Sequence, residues 1–154
     1  MRRRQLLAGV ASAGALGGAG LLATGNLPGS VFGHDGEAIE PMTLETIEAP
    51  GSRDGEVTLP ASDRPTFVDF FGTWCPPCAE QMPDLRAANE RVGDRVTFVS
   101  VTTEAVGRSV TEAEVAEWWV DNGGEWLVAA DPTAELAAKL NVGGYPTAVV
   151  LDAN

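Results

Sequence analysis

Lysine occurs once in these 154 residues, at Lys139, histidine once, at His34, and cysteine twice, at Cys75 and Cys78. Each scarcity excludes something. Two thiols and one distant imidazole cannot supply the four ligands of a structural zinc site. Acidic residues number 22 against 10 basic ones, for a net charge of −12, so there is no phosphate-seeking surface and nucleic acid is excluded as a partner. Because Arg2, Arg3 and Arg4 stand in a leader, the remainder holds 22 acidic against 7 basic residues, or −15. Charge of that size keeps a protein soluble, and it fits either an ordinary acidic protein or one adapted to high salt, where self-repulsion is screened.

Charge is also missing from Leu6 to Gly25, a run dominated by Ala, Gly and Leu. Preceded by three arginines, it has the order of an export signal: basic, then apolar, then polar. An arginine pair ahead of a mildly hydrophobic, Gly-rich stretch has the form of a twin-arginine signal, with Leu where Phe often follows. The run also approaches the ~20 residues that span a bilayer core. Residues 1–25 are therefore expected to be a signal peptide or a membrane anchor working through residues 6–25. In both cases the folded part is expected outside the cytoplasm, secreted or anchored to the outer face of the cell membrane. Residues 26–40, "NLPGSVFGHDGEAIE", are rich in turn formers without periodicity and read as a linker. His34 lies there and is assigned no role.

The rest, residues 41–154, is long enough for one domain with a real core. "MTLETIEAPGSRDGEVTLP" predicts a hairpin from Met42. The β-branched and aromatic run Thr66 to Phe71 predicts a strand buried on both faces, and "VTFVSV", from Val96 to Val101, a second one. Between them, Cys75 to about Val92 has helical spacing, with Gly93 as its stop. Thr111 and Glu114 form a capping box for another helix, ended by Asn122-Gly123 and packed on the sheet through Trp118 and Trp119. Asp131 as cap with Pro132 at the first helical position predicts a third helix, and "YPTAVVLDA" a last strand. Strands alternating with helices imply an α/β layer structure.

In "FGTWCPPCAEQMP" the two cysteines stand two residues apart, where a buried strand ends and a helix begins. A disulfide across so short a loop removes little unfolded-state entropy, which makes a purely structural staple weak. A redox couple fits better. The sulfur of Cys75 would sit at a helix N-terminus, where unpaired N–H groups and the helix dipole favour thiolate over thiol. Cys78, one turn along and more enclosed, could then attack a mixed disulfide on Cys75 and release the partner. Two other readings stay open, a thiol protein that holds Cu(I) without catalysis and an inert scaffold.

These motifs resemble the thioredoxin superfamily, and most closely its exported TlpA/ResA-like branch. "WCPPC" fits the W-C-x-x-C pattern, and Pro83 matches the proline of the active-site helix. "VGGYPT", Val142 to Thr147, resembles the family's cis-proline loop. The resemblance covers roughly residues 42–152. It implies a thioredoxin-like α/β fold, a central mixed sheet flanked by helices, and a thiol–disulfide oxidoreductase needing neither metal nor organic cofactor. By the same resemblance Cys75 and Cys78 form the redox disulfide. Asp69, where thioredoxin carries a buried acid and the TlpA-like branch often has Asn, would exchange a proton with Cys78, directly or through a water. Trp74, Tyr145 and Pro146 would contact the substrate.

The partners implied are protein thiols or disulfides and a separate redox partner. Reduction of exported proteins, as in cytochrome c maturation, is the leading role, with oxidative folding as the alternative. The branch commonly has a further acid near its site, for which Glu104 and Glu125 are the candidates. Family members also add a strand and a closing helix after the strand holding Ala148 to Leu151. Their apparent absence here predicts an uncovered sheet edge and face.

Overall fold

The computed structural model describes residues 39–153. The expected signal or anchor, most of the linker and His34 lie outside the described residues. Within them no helix is long and apolar enough to cross a membrane. Ile39, which the sequence pattern puts in the linker, packs half-buried against the domain.

Six strands form one mixed sheet. β1 (Met42–Thr46) and β2 (Gly55–Leu59) make the expected hairpin, in register from Met42 opposite Leu59 to Thr46 opposite Gly55. β3 (Thr66–Phe71), β4 (Thr97–Thr102) and β5 (Leu127–Ala130) run parallel, and β6 (Thr147–Leu151) lies antiparallel against β3. β1 pairs antiparallel with β5, so the spatial order is β2-β1-β5-β4-β3-β6. β4 starts one residue later than its hydrophobic run suggests.

Alternation along the strands divides the interior into two cores, because successive side chains leave opposite faces. On one face Phe71, Phe98 and Val128 meet α1 (Pro76–Val92) and α2 (Glu112–Asp121) through Cys78, Met82, Val115 and Trp119. On the other, Val68, Phe70, Val99 and Val101 meet α3 (Glu135–Lys139) through Leu136 and Ala137. The two tryptophans of α2 divide as expected: Trp119 is fully buried, and the half-buried Trp118 stacks on Phe71.

The capping box of α2 is present. Thr111 Oγ1 accepts from the Glu114 amide, and the Glu114 carboxylate accepts from the Thr111 amide. α3 departs from expectation. The Ala134 amide closes a turn onto the Asp131 carbonyl, Ala134 takes a left-handed conformation, and the helix begins only at Glu135. Asp131 still acts on the helix start from one turn upstream, since its carboxylate accepts from the amides of Glu135 and Ala137. β6 closes one edge of the sheet with Val150 exposed.

Candidate active site

β3 delivers the chain at Phe71 to a tight turn that leads into α1. The Cys75 amide donates to the Gly72 carbonyl at 3.1 Å, and the Trp74 indole folds back over Gly72. A Cβ at position 72 would lie 2.8 Å from Trp74 Nε1, so only glycine admits that fold. Cys75 is the N-cap of α1, with Pro76 and Pro77 in the first two helical positions. Prolines suit a first turn, whose amides have no partner in the helix. Here they have a second effect. A capping side chain normally accepts from the second or third helical amide. The second is Pro77, leaving only the Cys78 amide, 3.3 Å from Cys75 Sγ. Even that donor is shared with the Cys75 carbonyl at 3.1 Å.

Cys75 and Cys78 are joined as a disulfide, with Cα atoms 5.3 Å apart. Cys78 is wholly enclosed, Cys75 retains 4% exposure, and the neighbouring Trp74 is 66% exposed. An attacking thiolate therefore has access to Cys75 and none to Cys78.

Asp69, near the end of β3, is fully buried on the face that α1 covers. Ser100, directly opposite it on β4, donates from Oγ to Asp69 Oδ2 at 3.0 Å, and Gln81 of α1 donates from Nε2 to Oδ1 at 2.8 Å. Ser100 Oγ in turn accepts from Trp126 Nε1 at 2.9 Å. Burial pushes the Asp69 carboxyl up to about 6, against the pull of its two hydrogen bonds. Among the described residues no cation offsets that burial.

The Tyr145–Pro146 bond is cis. Tyr145 meets Trp74 edge to face at 6.0 Å, and its hydroxyl bonds Thr103 Oγ1. Of the two candidate acids, Glu104 stands at the site and Glu125 does not. Glu104 accepts from the Thr73 amide at 2.8 Å, the Thr73 hydroxyl at 2.7 Å and the Thr102 hydroxyl at 3.0 Å. Glu125 is on the surface, paired with Arg86 at 2.8 Å. The segment after β4 thus holds both lips of the site, one through Glu104 and the other through Thr103. Ser100, Gln81, Trp126, Thr73 and Thr103 escape a reading of the sequence. Only Gln81 carries a local signal, three residues after Cys78 and on the same side of the helix. Among the described residues no cluster of three or more His, Cys, Asp or Glu could hold a metal ion.

The Redoxin family matches residues 40–154, which include all of these elements. The chain belongs to that family. Its described domain has the thioredoxin-like fold. It is similar to thioredoxin Y of chloroplasts from Oryza sativa, 41% identical over 46 residues, which are 30% of this chain and 27% of that one. This Redoxin chain thus spans about a quarter of that curated relative. Among solved structures it resembles StoA from Bacillus subtilis, with a TM-score of 0.60, 22% identity and coverage of 75% of this chain and 83% of that one. It also resembles a secreted Mycobacterium tuberculosis disulfide oxidoreductase homologous to Escherichia coli DsbE. There the TM-score is 0.56 at 18% identity, covering 72% and 82% of the two chains. Likeness at such identities speaks for the fold alone.

Proposed function

We propose that this protein is an extracytoplasmic thiol–disulfide oxidoreductase that reduces disulfides of exported proteins. The observation that carries the reading is the position of Cys75, capping α1 at the only accessible edge of a disulfide whose second sulfur is enclosed. In the reduced protein the Cys75 thiolate attacks a substrate disulfide, forms a mixed disulfide and expels one substrate thiolate. The Cys78 thiol then loses its proton to the Asp69 carboxylate and attacks Cys75 Sγ. The Cys75–Cys78 disulfide forms, and the second substrate thiolate leaves. Two electrons pass to the substrate, and an external dithiol partner restores them. Trp74, Tyr145 and Pro146 form the surface against which the substrate segment lies.

The two prolines support the reducing direction. A thiolate supplied with many donors makes its reduced form stable and the protein oxidising. With Pro76 and Pro77 in place, Cys75 Sγ of the disulfide receives one shared N–H, and a first turn this short of donors would leave the reduced thiolate a good electron donor. Export is supported by the arginine-led apolar run at residues 1–25, cleaved or retained as an anchor, and by the secreted neighbour. Protein thiols awaiting haem attachment in cytochrome c maturation are the substrate class this reading favours.

Cys78→Ser should strand substrates as mixed disulfides on Cys75 in cells, recoverable under non-reducing conditions. Recovery of nothing linked through Cys75 would overturn the reading. Equilibration with dithiothreitol mixtures should place the couple nearer about −270 mV than about −120 mV; the latter would make it an oxidase.

A further inference from the structure

The proton that Asp69 takes from Cys78 needs a host that suits both charge states of the carboxyl. An ionised carboxylate only accepts hydrogen bonds, whereas a carboxylic acid must also donate one. Of the two partners, Ser100 is committed. Its oxygen accepts the Trp126 indole N–H, a group that can only donate, and its own hydrogen points to Asp69 Oδ2. Gln81 is not committed. Its Nε2 donates to Oδ1, and among the described residues its Oε1 bonds nothing else. Half-exposed on α1, it is also the side of the Asp69 site that opens toward solvent, since Asp69 and Ser100 are both fully buried.

We infer that Gln81 is a positioning residue that reverses its side-chain amide with the protonation state of Asp69. Nε2 donates to the carboxylate before proton transfer, and Oε1 accepts from the acid afterwards. This rests on the proposed function, in which Asp69 receives the Cys78 proton. The geometry favours Oδ1 for the added proton, because among the described residues the Ser100 hydroxyl has no acceptor for its hydrogen other than Asp69 Oδ2. Rotation about the last torsion of Gln81 exchanges donor for acceptor at the same place without breaking any other bond. Among the described residues no charged side chain competes. On α1, Glu80 and Asp84 are exposed and Arg86 pairs with Glu90 and Glu125. Beyond β4, Glu104 is held by Thr73 and Thr102, and on β6 the residue opposite Asp69 is Ala148. Tyr145, ahead of β6, is bonded to Thr103. Cys75 and Cys78 are then the titrating groups at the start of α1.

The test uses the reduced full chain and 5,5′-dithiobis(2-nitrobenzoate). Cys75 releases one thionitrobenzoate as it forms the mixed disulfide, and Cys78 releases the second as it resolves it. Stopped-flow traces between about pH 5 and 9 separate the two. For Gln81→Leu the second release at pH 7 should slow by about tenfold. Its pH midpoint should stay within about half a unit, because the variant takes a donor from the carboxylate and an acceptor from the acid alike, whereas loss of a carboxylate donor alone would raise it by about one unit. The first release should stay within about twofold of the wild type, which a general disturbance of α1 would not allow. Infrared titration of the Asp69 carboxyl in the oxidised protein should show a midpoint equally unmoved. If Asp69→Asn alters the second release while Gln81→Leu either leaves its rate in place or raises its midpoint by about one unit, the amide exchange is overturned. If Asp69→Asn itself changes nothing, the assignment of Asp69 as proton acceptor falls instead.

Discussion

Asp69 has a cost for the fold that its chemistry imposes. Its carboxyl is raised from 3.8 to about 6 by burial, so the folded protein holds this proton more tightly than the unfolded chain does. Between those values the native state binds more protons, and stability falls as pH rises through the window, then levels off above it. The difference is roughly two units, at most ~3 kcal/mol. Asp69→Asn should abolish that dependence and leave the protein more stable than wild type above about pH 7. Urea unfolding of the oxidised proteins at about pH 5 and 8 checks it. An unchanged wild-type stability across the two would contradict the burial argument. The sequence places an acid six residues before Cys75, but Ser100, which donates to it, and Trp126, which donates to Ser100, stand 31 and 57 positions further on. Nothing local to those two residues marks them.

At the scale of elements, local rules predict starts and stops well where the signal lies within one turn. α1 begins after Cys75 and ends at Gly93, and the α2 box forms from Thr111 and Glu114. α3 fails the rule because Asp131 is itself buried and anchored by the sheet, so it serves amides a turn further on. The two caps should therefore respond differently to truncation. Thr111→Ala, at an exposed cap, should cost about 1 kcal/mol. Asp131→Ala removes two amide partners in the interior and should cost more, about 2–3 kcal/mol, read as a shift in the denaturation midpoint. Gly51, in the loop between β1 and β2, is a sharper case. It has φ of 77°, and a Cβ there would lie 2.0 Å from the Glu125 carbonyl carbon. Gly51→Ala must move the segment that leads into β5, and should destabilise more than either cap variant.

For the whole molecule, net charge dominates. With −12 on the chain and one lysine, like-charge repulsion opposes the compact state. The described ion pairs are solvent-exposed contacts such as Arg86–Glu125 and Lys139–Glu135 and add little to stability. Raising salt from about 0.05 to 1 M, which shortens the screening length from over 10 Å to about 3 Å, should therefore raise the thermal midpoint by several degrees. Thermal scans in sodium chloride measure it; a falling midpoint would show that the surface pairs outweigh the repulsion.

By itself the sequence determined the alternation of strands and helices, the two-faced burial of β3 and β4, and the place of a cysteine pair at the start of a helix. These follow from periodicity, capping and turn chemistry, which act within a few residues. Only the tertiary structure decided that Glu104 rather than Glu125 reaches the site, that Thr103 holds Tyr145, and that Asp69 is met by Ser100 and Gln81 with no cation. Those contacts depend on strand order and register, which set residues far apart in the chain side by side and leave no periodic trace in it.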